Sequence, residues 1–142
     1  MKTGAALALR LVLGAFWIWT GLTKVVGHFD AGPFLTAAIS HSTVAPEAVR
    51  LILVGAIGHI GLPHIALVNV AVPWLELGAG LLILLGVGTV WGVVVTAAMS
   101  ALFLMCGAIS ANPLLLFGTV LLAILHGHAR IFTLRALYSP TA

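Results

Sequence analysis

The sequence predicts an all-α integral membrane protein: a four-helix bundle with an extra interfacial or half-membrane helical segment between its first and second spans. Hydrophobic residues make up 62% of the 142 residues and charged residues only 6%. A soluble domain carries about 25% charged residues, so this chain has too little polar surface to cover a globule in water. The length allows three to five spans in one domain, residues 1–142. The chain has no basic run interleaved with aromatics, so no nucleic-acid partner is expected.

The first predicted span covers residues 5–26. The start of the chain superficially resembles a signal peptide, but Arg10 falls inside the apolar region. Residues 21–24, at the end of that region, contain no small-x-small cleavage site. We therefore expect an uncleaved membrane helix that ends close to Lys24.

The chain is most polar directly after this span. Residues 27–50 predict an aqueous or interfacial loop, with a short helix over 34–39 lying in the headgroup region. Ser42 or Thr43 is placed to cap the helix that follows, because hydroxyl side chains accept hydrogen bonds from the free N–H groups of a first turn.

A second helical piece is predicted at about residues 47–60. It is too short and too interrupted by glycine to be a full span, so we interpret it as a half-membrane or interfacial helix. A glycine-proline break at 61–63 follows. Non-helical backbone at membrane depth is tolerated only where protein or a watery cavity surrounds it. The break is therefore a candidate cavity wall.

Three further spans are predicted in the second half of the chain. The second span runs from about residue 65 or 73 to 86, the third from 90 to 109 and the fourth from 113 to 126. Glycines recur at the second and third spans, and we expect them to allow close approach of helix backbones. These glycines are Gly78, Gly80, Gly86, Gly88 and Gly92.

The basic residues predict the orientation in the membrane. Lys2, Arg10, Arg130 and Arg135 lie near the two ends of the chain, and Lys and Arg favour the cytoplasmic side. Four spans place both ends on the same side, which agrees with this charge distribution. The expected location is the cytoplasmic (inner) membrane of a bacterium or archaeon, with both termini cytoplasmic and residues 27–72 outside.

Glu76 is the acidic residue that needs a partner. It precedes the apolar run at 81–87, and an isolated carboxylate in such surroundings is costly unless it is paired, protonated or facing water. In an antiparallel bundle, Lys24, His28 and Asn112 come to a similar depth. We expect a Lys24–Glu76 ion pair. It can pin the first helix against the second, and it can also line a pocket.

The histidines and the single cysteine are weaker signals. His59 and His64 flank the break and could bind a metal or a quinone carbonyl, or be satisfied by backbone carbonyls. Haem would need histidines at matching depth on two spans, and the first and third spans contain none. Cys106 lies in an apolar stretch, and we expect it to be a small buried hydrophobic residue. No metal site is assigned.

Three stretches resemble the DoxX/DoxD membrane proteins: residues 20–27 (TGLTKVVG), 73–86 (PWLELGAGLLILLG) and 112–116 (NPLLL). The chain departs from that family at 44–66, which is longer and more apolar than the usual first loop. The resemblance implies a four-helix membrane protein, often a subunit or companion of a redox enzyme. The best understood members are similar to the small integral subunit of thiosulfate:quinone oxidoreductase, which works beside a second subunit and passes electrons to membrane quinone.

These considerations favour an integral membrane subunit of a quinone-linked oxidoreductase of the thiosulfate:quinone type. The alternative is a non-catalytic anchor or assembly partner of a redox complex, and a small transporter is the weakest hypothesis because four spans leave little room for a pathway. The expected partners are the lipid bilayer, a second protein subunit and membrane quinone. The sequence contains no flavin, haem or metal motif.

The candidate site is predicted at the outer half of the bundle. Lys24 and Glu76 are the candidate catalytic residues, with Glu76 passing on the protons that quinone reduction takes up. The candidate quinone-binding residues supply hydrogen bonds to the carbonyls and, in the case of the tryptophan, a ring to stack on. They are His28, His59, His64, Trp74 and Asn112.

Overall fold

The computed structural model describes residues 2–129, with side chains at 4–43 and 45–125. Within these residues all regular secondary structure is helical. The six α-helices are α1 Lys2–Val26, α2 Gly32–His41, α3 Glu47–Ala56, α4 Ile65–Leu85, α5 Thr89–Met105 and α6 Asn112–Ala129. A 3₁₀ turn, Ser42–Val44, follows α2, and a π-helical turn, Ile57–Gly61, follows α3. Arg130 and Arg135, which entered the orientation argument, lie outside the described residues.

The four longer helices pack around one core. α1 contacts α4 and α6, and α5 contacts α4 and α6, so each of these core helices touches two others. The buried centre includes Leu13, Ile83, Val93 and Leu122. Two of the helices, Gly4–Val26 and α4, are long and apolar enough to cross a membrane, whereas α5 and α6 provide shorter apolar stretches. The composition and these helices agree with the predicted helical membrane protein.

Of the five glycines predicted to allow close helix approach, two lie at close helix contacts, two form a turn and one has neither role. A Cβ on Gly80 would lie 2.7 Å from the backbone nitrogen of Ile18, and a Cβ on Gly92 would lie 2.9 Å from the carbonyl oxygen of Ala79. Both glycines therefore allow close helix contacts. Gly86 and Gly88 instead have φ of 71° and 65° and form the tight turn between α4 and α5. Gly78 has open space beside it, so the expectation of close packing was wrong there.

The segment between α1 and α4 matches the predicted helix–helix–break pattern, with one local correction. The 34–39 helix extends over the whole of α2, but neither hydroxyl caps α3. Ser42 donates to the carbonyl of Ile39 at 2.6 Å and Thr43 to that of Ser40 at 3.2 Å, while Pro46 occupies the N-cap position without a side-chain cap. The 3₁₀ turn continues α2, so these hydroxyls bond back to the preceding turn.

Helix α4 resolves the two predicted starts of the second span. It begins at Ile65, after the break, and runs through Pro73 without ending there. Near its start, Asn69 accepts a hydrogen bond from the Ala31 amide at 2.8 Å and donates one to Asp30 at 3.2 Å. This clasp ties the α1–α2 loop to α4. Helix α5 ends at Met105, earlier than predicted, and Gly107 follows with φ of 88°.

Candidate functional site

The predicted ion pair is present between α1 and α4. The Lys24 ammonium donates to both oxygens of Glu76, at 2.5 and 2.6 Å. Glu76 is buried, with no exposed side-chain surface, whereas the Lys24 side chain keeps 24% of its surface exposed. Lys24 lies in the last turn of α1 and Glu76 in the middle of α4. The carboxylate is therefore held inside the protein by a cation that reaches it from the helix end.

Close packing of the two helices explains why this pair can form. A Cβ on Gly21, one turn before Lys24, would lie 2.8 Å from the backbone nitrogen of Leu77. Leu77 is the neighbour of Glu76, so the two backbones approach each other directly beside the ion pair. A side chain at position 21 would push the helices apart and separate the charged groups.

Two aromatic rings complete the surroundings of the ammonium group. The Nζ atom of Lys24 lies 5.7 Å from the ring centroid of Phe29 and 5.4 Å from that of Phe103. Both distances are within the range of cation–π attraction. The ring of Phe34 on α2 packs edge-on against Phe103 on α5, with centroids 6.2 Å apart. Rings from the α1–α2 loop and from α5 thus lie beside the ammonium group.

A pocket of about 380 Å³ opens beside the pair. This volume falls in the range of small-molecule sites, which are mostly apolar with a few placed polar groups. The aromatic lining residues are Phe16, Trp17, Phe29, Phe34 and Phe103, and the polar ones are Thr20, Lys24, Glu76, Ser110 and Asn112. A planar ligand that needs both ring contacts and one or two hydrogen bonds suits this lining.

A second pocket, of about 310 Å³, shares three rings with the first. Phe29, Phe34 and Phe103 line both pockets. The rest of its lining is apolar, with contributions from α2, α3, the π turn, α4 and α5. The polar pocket therefore has an apolar neighbour with which it shares three aromatic residues.

Three of the predicted site residues come together, because Lys24, Glu76 and Asn112 all line the polar pocket. Asn112 lies at the start of α6 and donates from its amide to the carbonyl of Ala108 at 2.7 Å. This bond uses one of the two amide hydrogens.

The other four predicted residues do not line either pocket. Trp74 lies two residues from Glu76, about 200° around the helix, and is 61% exposed. His28 is exposed in the turn after α1, with φ of 52°. His59 is exposed in the π turn, and His64 pairs with the carbonyl of Ile60 at 2.9 Å, which is the backbone-satisfied alternative. The predicted pocket boundary therefore differs from the one observed.

Sequence reasoning missed all five aromatic residues that line the polar pocket. Trp17 and Thr20 carried a usable signal, because with Lys24 they follow an i, i+3, i+7 spacing and share one face of α1. Phe29, Phe34 and Phe103 carried none, since they come from a loop and two further helices that meet only in the folded chain. Among the described residues, no three His, Cys, Asp or Glu side chains come together as a metal site.

Comparison with known proteins gave one match. A model of the family described as DoxX matches residues 5–129. The match extends from the first turns of α1 to the last residue of α6, and it includes the α2–α3 segment and all the residues that line the two pockets. No curated protein and no solved structure matches the chain.

Proposed function

The chain belongs to the DoxX family, and we propose that it is the integral membrane subunit of a quinone-linked oxidoreductase of the thiosulfate:quinone type. The observation that carries this proposal is the buried Lys24–Glu76 pair at the wall of an aromatic pocket. An ionisable pair at membrane depth that also faces a cavity is typical of functional sites in membrane proteins. The family is one of membrane proteins, and its link to quinone oxidoreductases supports the same assignment.

In this proposal the four core helices form a four-helix membrane bundle. Each of them carries large apolar side chains on its outer face, such as Trp19, Leu67, Trp91 and Leu114, which are 65–74% exposed and suited to lipid contact. Both termini lie in the cytoplasm of a bacterium or archaeon, and α2 and α3 lie at the outer interface. The pocket then opens towards the outer half of the membrane.

A quinone ring matches the polar pocket in shape and chemistry. It is planar, so it can stack on Phe29 or Phe103, and its two carbonyls accept hydrogen bonds. Lys24 and Asn112 are donors on the pocket wall. The apolar pocket that shares these rings offers room for the start of an isoprenoid chain. The stacking role predicted for Trp74 therefore passes to Phe29 or Phe103.

Quinone reduction consumes two electrons and two protons and yields the quinol. The electrons come from a second subunit that carries a redox centre and oxidises the donor substrate. Glu76 and Lys24 are positioned to supply a proton to a quinone oxygen, because their hydrogen bond links a buried carboxyl group to an ammonium that borders the pocket. The partly exposed Lys24 side chain offers the route by which the pair is reprotonated.

The runner-up function is a non-catalytic anchor for a redox complex. One observation favours it: Lys24 occupies both carboxylate oxygens of Glu76, as a purely structural pin would. In that case the pair holds α1 against α4, and the pocket is filled by lipid.

The deciding experiment is quinone-dependent turnover of the complex purified from its native membrane. We expect Glu76→Gln to preserve assembly and to lower turnover on the order of 100-fold, the size of a lost general acid–base contribution. Glu47→Gln is the matched control, because Glu47 is an exposed carboxylate in the first turn of α3. If Glu76→Gln and Glu47→Gln both retain full turnover, the anchor function replaces the proposal.

A further inference from the structure

Trp17 is unlike the other tryptophans of the chain. It is 1% exposed, whereas Trp19, Trp74 and Trp91 are 61–70% exposed on the outer face. Its indole Nε1–H is buried and has no hydrogen-bond partner among the described residues. Trp17 also lines the polar pocket. Trp17, whose buried donor has no acceptor in the described part of the chain, therefore borders the cavity that holds the Lys24–Glu76 pair.

Such a donor needs an acceptor, because burying an N–H group removes its hydrogen bond to water. Neither the Glu76 carboxylate nor the Thr20 hydroxyl accepts from this indole. Both carboxylate oxygens of Glu76 accept from Lys24, and the Thr20 hydroxyl donates to the backbone carbonyl of Trp17 itself. An indole N–H is a donor only, so it needs an oxygen with a free lone pair. A molecule in the pocket that carries such an oxygen can supply the acceptor.

We infer that the Nε1–H of Trp17 donates a hydrogen bond to a carbonyl oxygen of the ligand in the polar pocket. This inference rests on the proposed quinone function and adds the residue that recognises the ligand's oxygen. Lys24 is held by Glu76 and by two rings, and the neutral indole adds a donor without a partner in the described chain to Lys24 and Asn112 on the same wall. Trp17 thereby selects a planar ring that carries an acceptor over a hydrocarbon ring of the same shape.

Two probes of equal ring size test this selection: 2-methyl-1,4-naphthoquinone and 2-methylnaphthalene, which lacks the carbonyls. Binding to the full chain in lipid nanodiscs is measured for the parent, Trp17→Phe and Trp19→Phe. Trp19 is the matched control, since it lies two residues away on the lipid side of α1 and is 67% exposed. We expect Trp17→Phe to weaken naphthoquinone binding about tenfold, as for one neutral hydrogen bond, and Trp19→Phe to leave it unchanged.

The hydrocarbon probe should bind weakly and equally to all three proteins. Equal naphthoquinone affinity of Trp17→Phe and Trp19→Phe would overturn the role of Trp17 while leaving a quinone site in place. Failure of the parent chain to bind the naphthoquinone at all would remove the proposed function together with this inference. The two failures are thus distinguishable.

A second measurement does not depend on the folding of Trp17→Phe. The parent chain is labelled with ¹⁵N-tryptophan, and Trp17 is identified as the indole signal that persists when the three exposed tryptophans are replaced by phenylalanine. We expect the Trp17 indole proton to move downfield with the naphthoquinone and not with the hydrocarbon. An unmoved signal would show that the indole forms no hydrogen bond to the naphthoquinone. The same shift with both probes would show that ring currents, and not a hydrogen bond, move the signal. Either result overturns the inference.

Discussion

The contact between α1 and α4 is built in two opposite ways along its length. In its middle, around Gly14 and Gly80, the two backbones touch, and a Cβ on either residue would come within 3 Å of the opposing chain. At the Lys24 end, the same two helices carry large and charged side chains beside a pocket of about 380 Å³. The middle leaves no room for a side chain between the helices. At the Lys24 end Gly21 keeps the two backbones equally close, but the neighbouring side chains of both helices line the pocket.

The comparison shows how a small helical protein can hold a cavity open. The glycine contacts set the separation of α1 and α4, so the helices cannot move together further or apart without cost. The aromatic rings at the Lys24 end then pack against one another and against the ammonium, as Phe34 does on Phe103. The contact around Gly14 and Gly80 is the closed middle of the interface, and the part near Lys24 is its open end. The rigid middle fixes the helices so that the donors at the open end keep their positions around the cavity.

Breaking the ion pair should have the largest effect. Lys24→Met leaves the fully buried carboxylate of Glu76 without its cation, which should lower the free energy of unfolding by about 3–5 kcal/mol. Glu76→Leu should cost less, because Lys24 retains 24% side-chain exposure. The double variant should be more stable than Lys24→Met alone. Unfolding in mixed detergent micelles measures all three, and strictly additive losses would contradict the pairing energy.

Closing the gap in the glycine contact should have the next largest effect. Gly80→Ala places a methyl group 2.7 Å from the Ile18 nitrogen, and such overpacking costs about 1–3 kcal/mol. Gly78→Ala is the control, because nothing lies within 4 Å of its added methyl and alanine favours the helix. Equal stabilities of the two variants, measured in the same unfolding assay, would show that the middle of the interface does not constrain the helices.

Removing one ring from the open end should have a smaller effect. Phe103→Leu loses the ring beside Lys24 and the contact with Phe34, which should cost about 1 kcal/mol. Phe117→Leu serves as control, because Phe117 is 66% exposed on α6. The difference between these two variants measures how much the aromatic cover adds to the ion pair. No difference would indicate that the rings only fill space.

The smallest expected effect concerns the clasp that holds the α1–α2 loop near the open end. Asn69→Ala removes the acceptor of the Ala31 amide and the donor to Asp30. We expect a loss below about 1 kcal/mol, visible as faster hydrogen exchange at the Ala31 amide and little change in global unfolding. Unchanged exchange at Ala31 would show that the loop does not depend on this side chain.

The sequence alone determined the features that depend on local pattern and on the cost of isolated charge. The lack of polar surface indicates a helical membrane protein, and the glycine-proline break at 61–63 indicates where the helix before α4 ends. The Lys24–Glu76 pair was predictable because a carboxylate beside an apolar run needs a partner, and Lys24 was the cation that antiparallel packing brings to the same depth. None of these conclusions requires knowing how a helix is rotated about its axis.

Only the tertiary structure decided how each helix is rotated about its own axis. Trp17 and Trp19 are the same residue type on one helix, about 200° apart, and one is 1% exposed while the other is 67% exposed. Trp74 and Glu76 differ in the same way on α4. A helix that is apolar all round has no polar face to show which side is buried, because lipid accepts the same side chains as the core. Only the glycine contacts and the meeting of Phe29, Phe34 and Phe103 in space fix which faces turn towards the pocket.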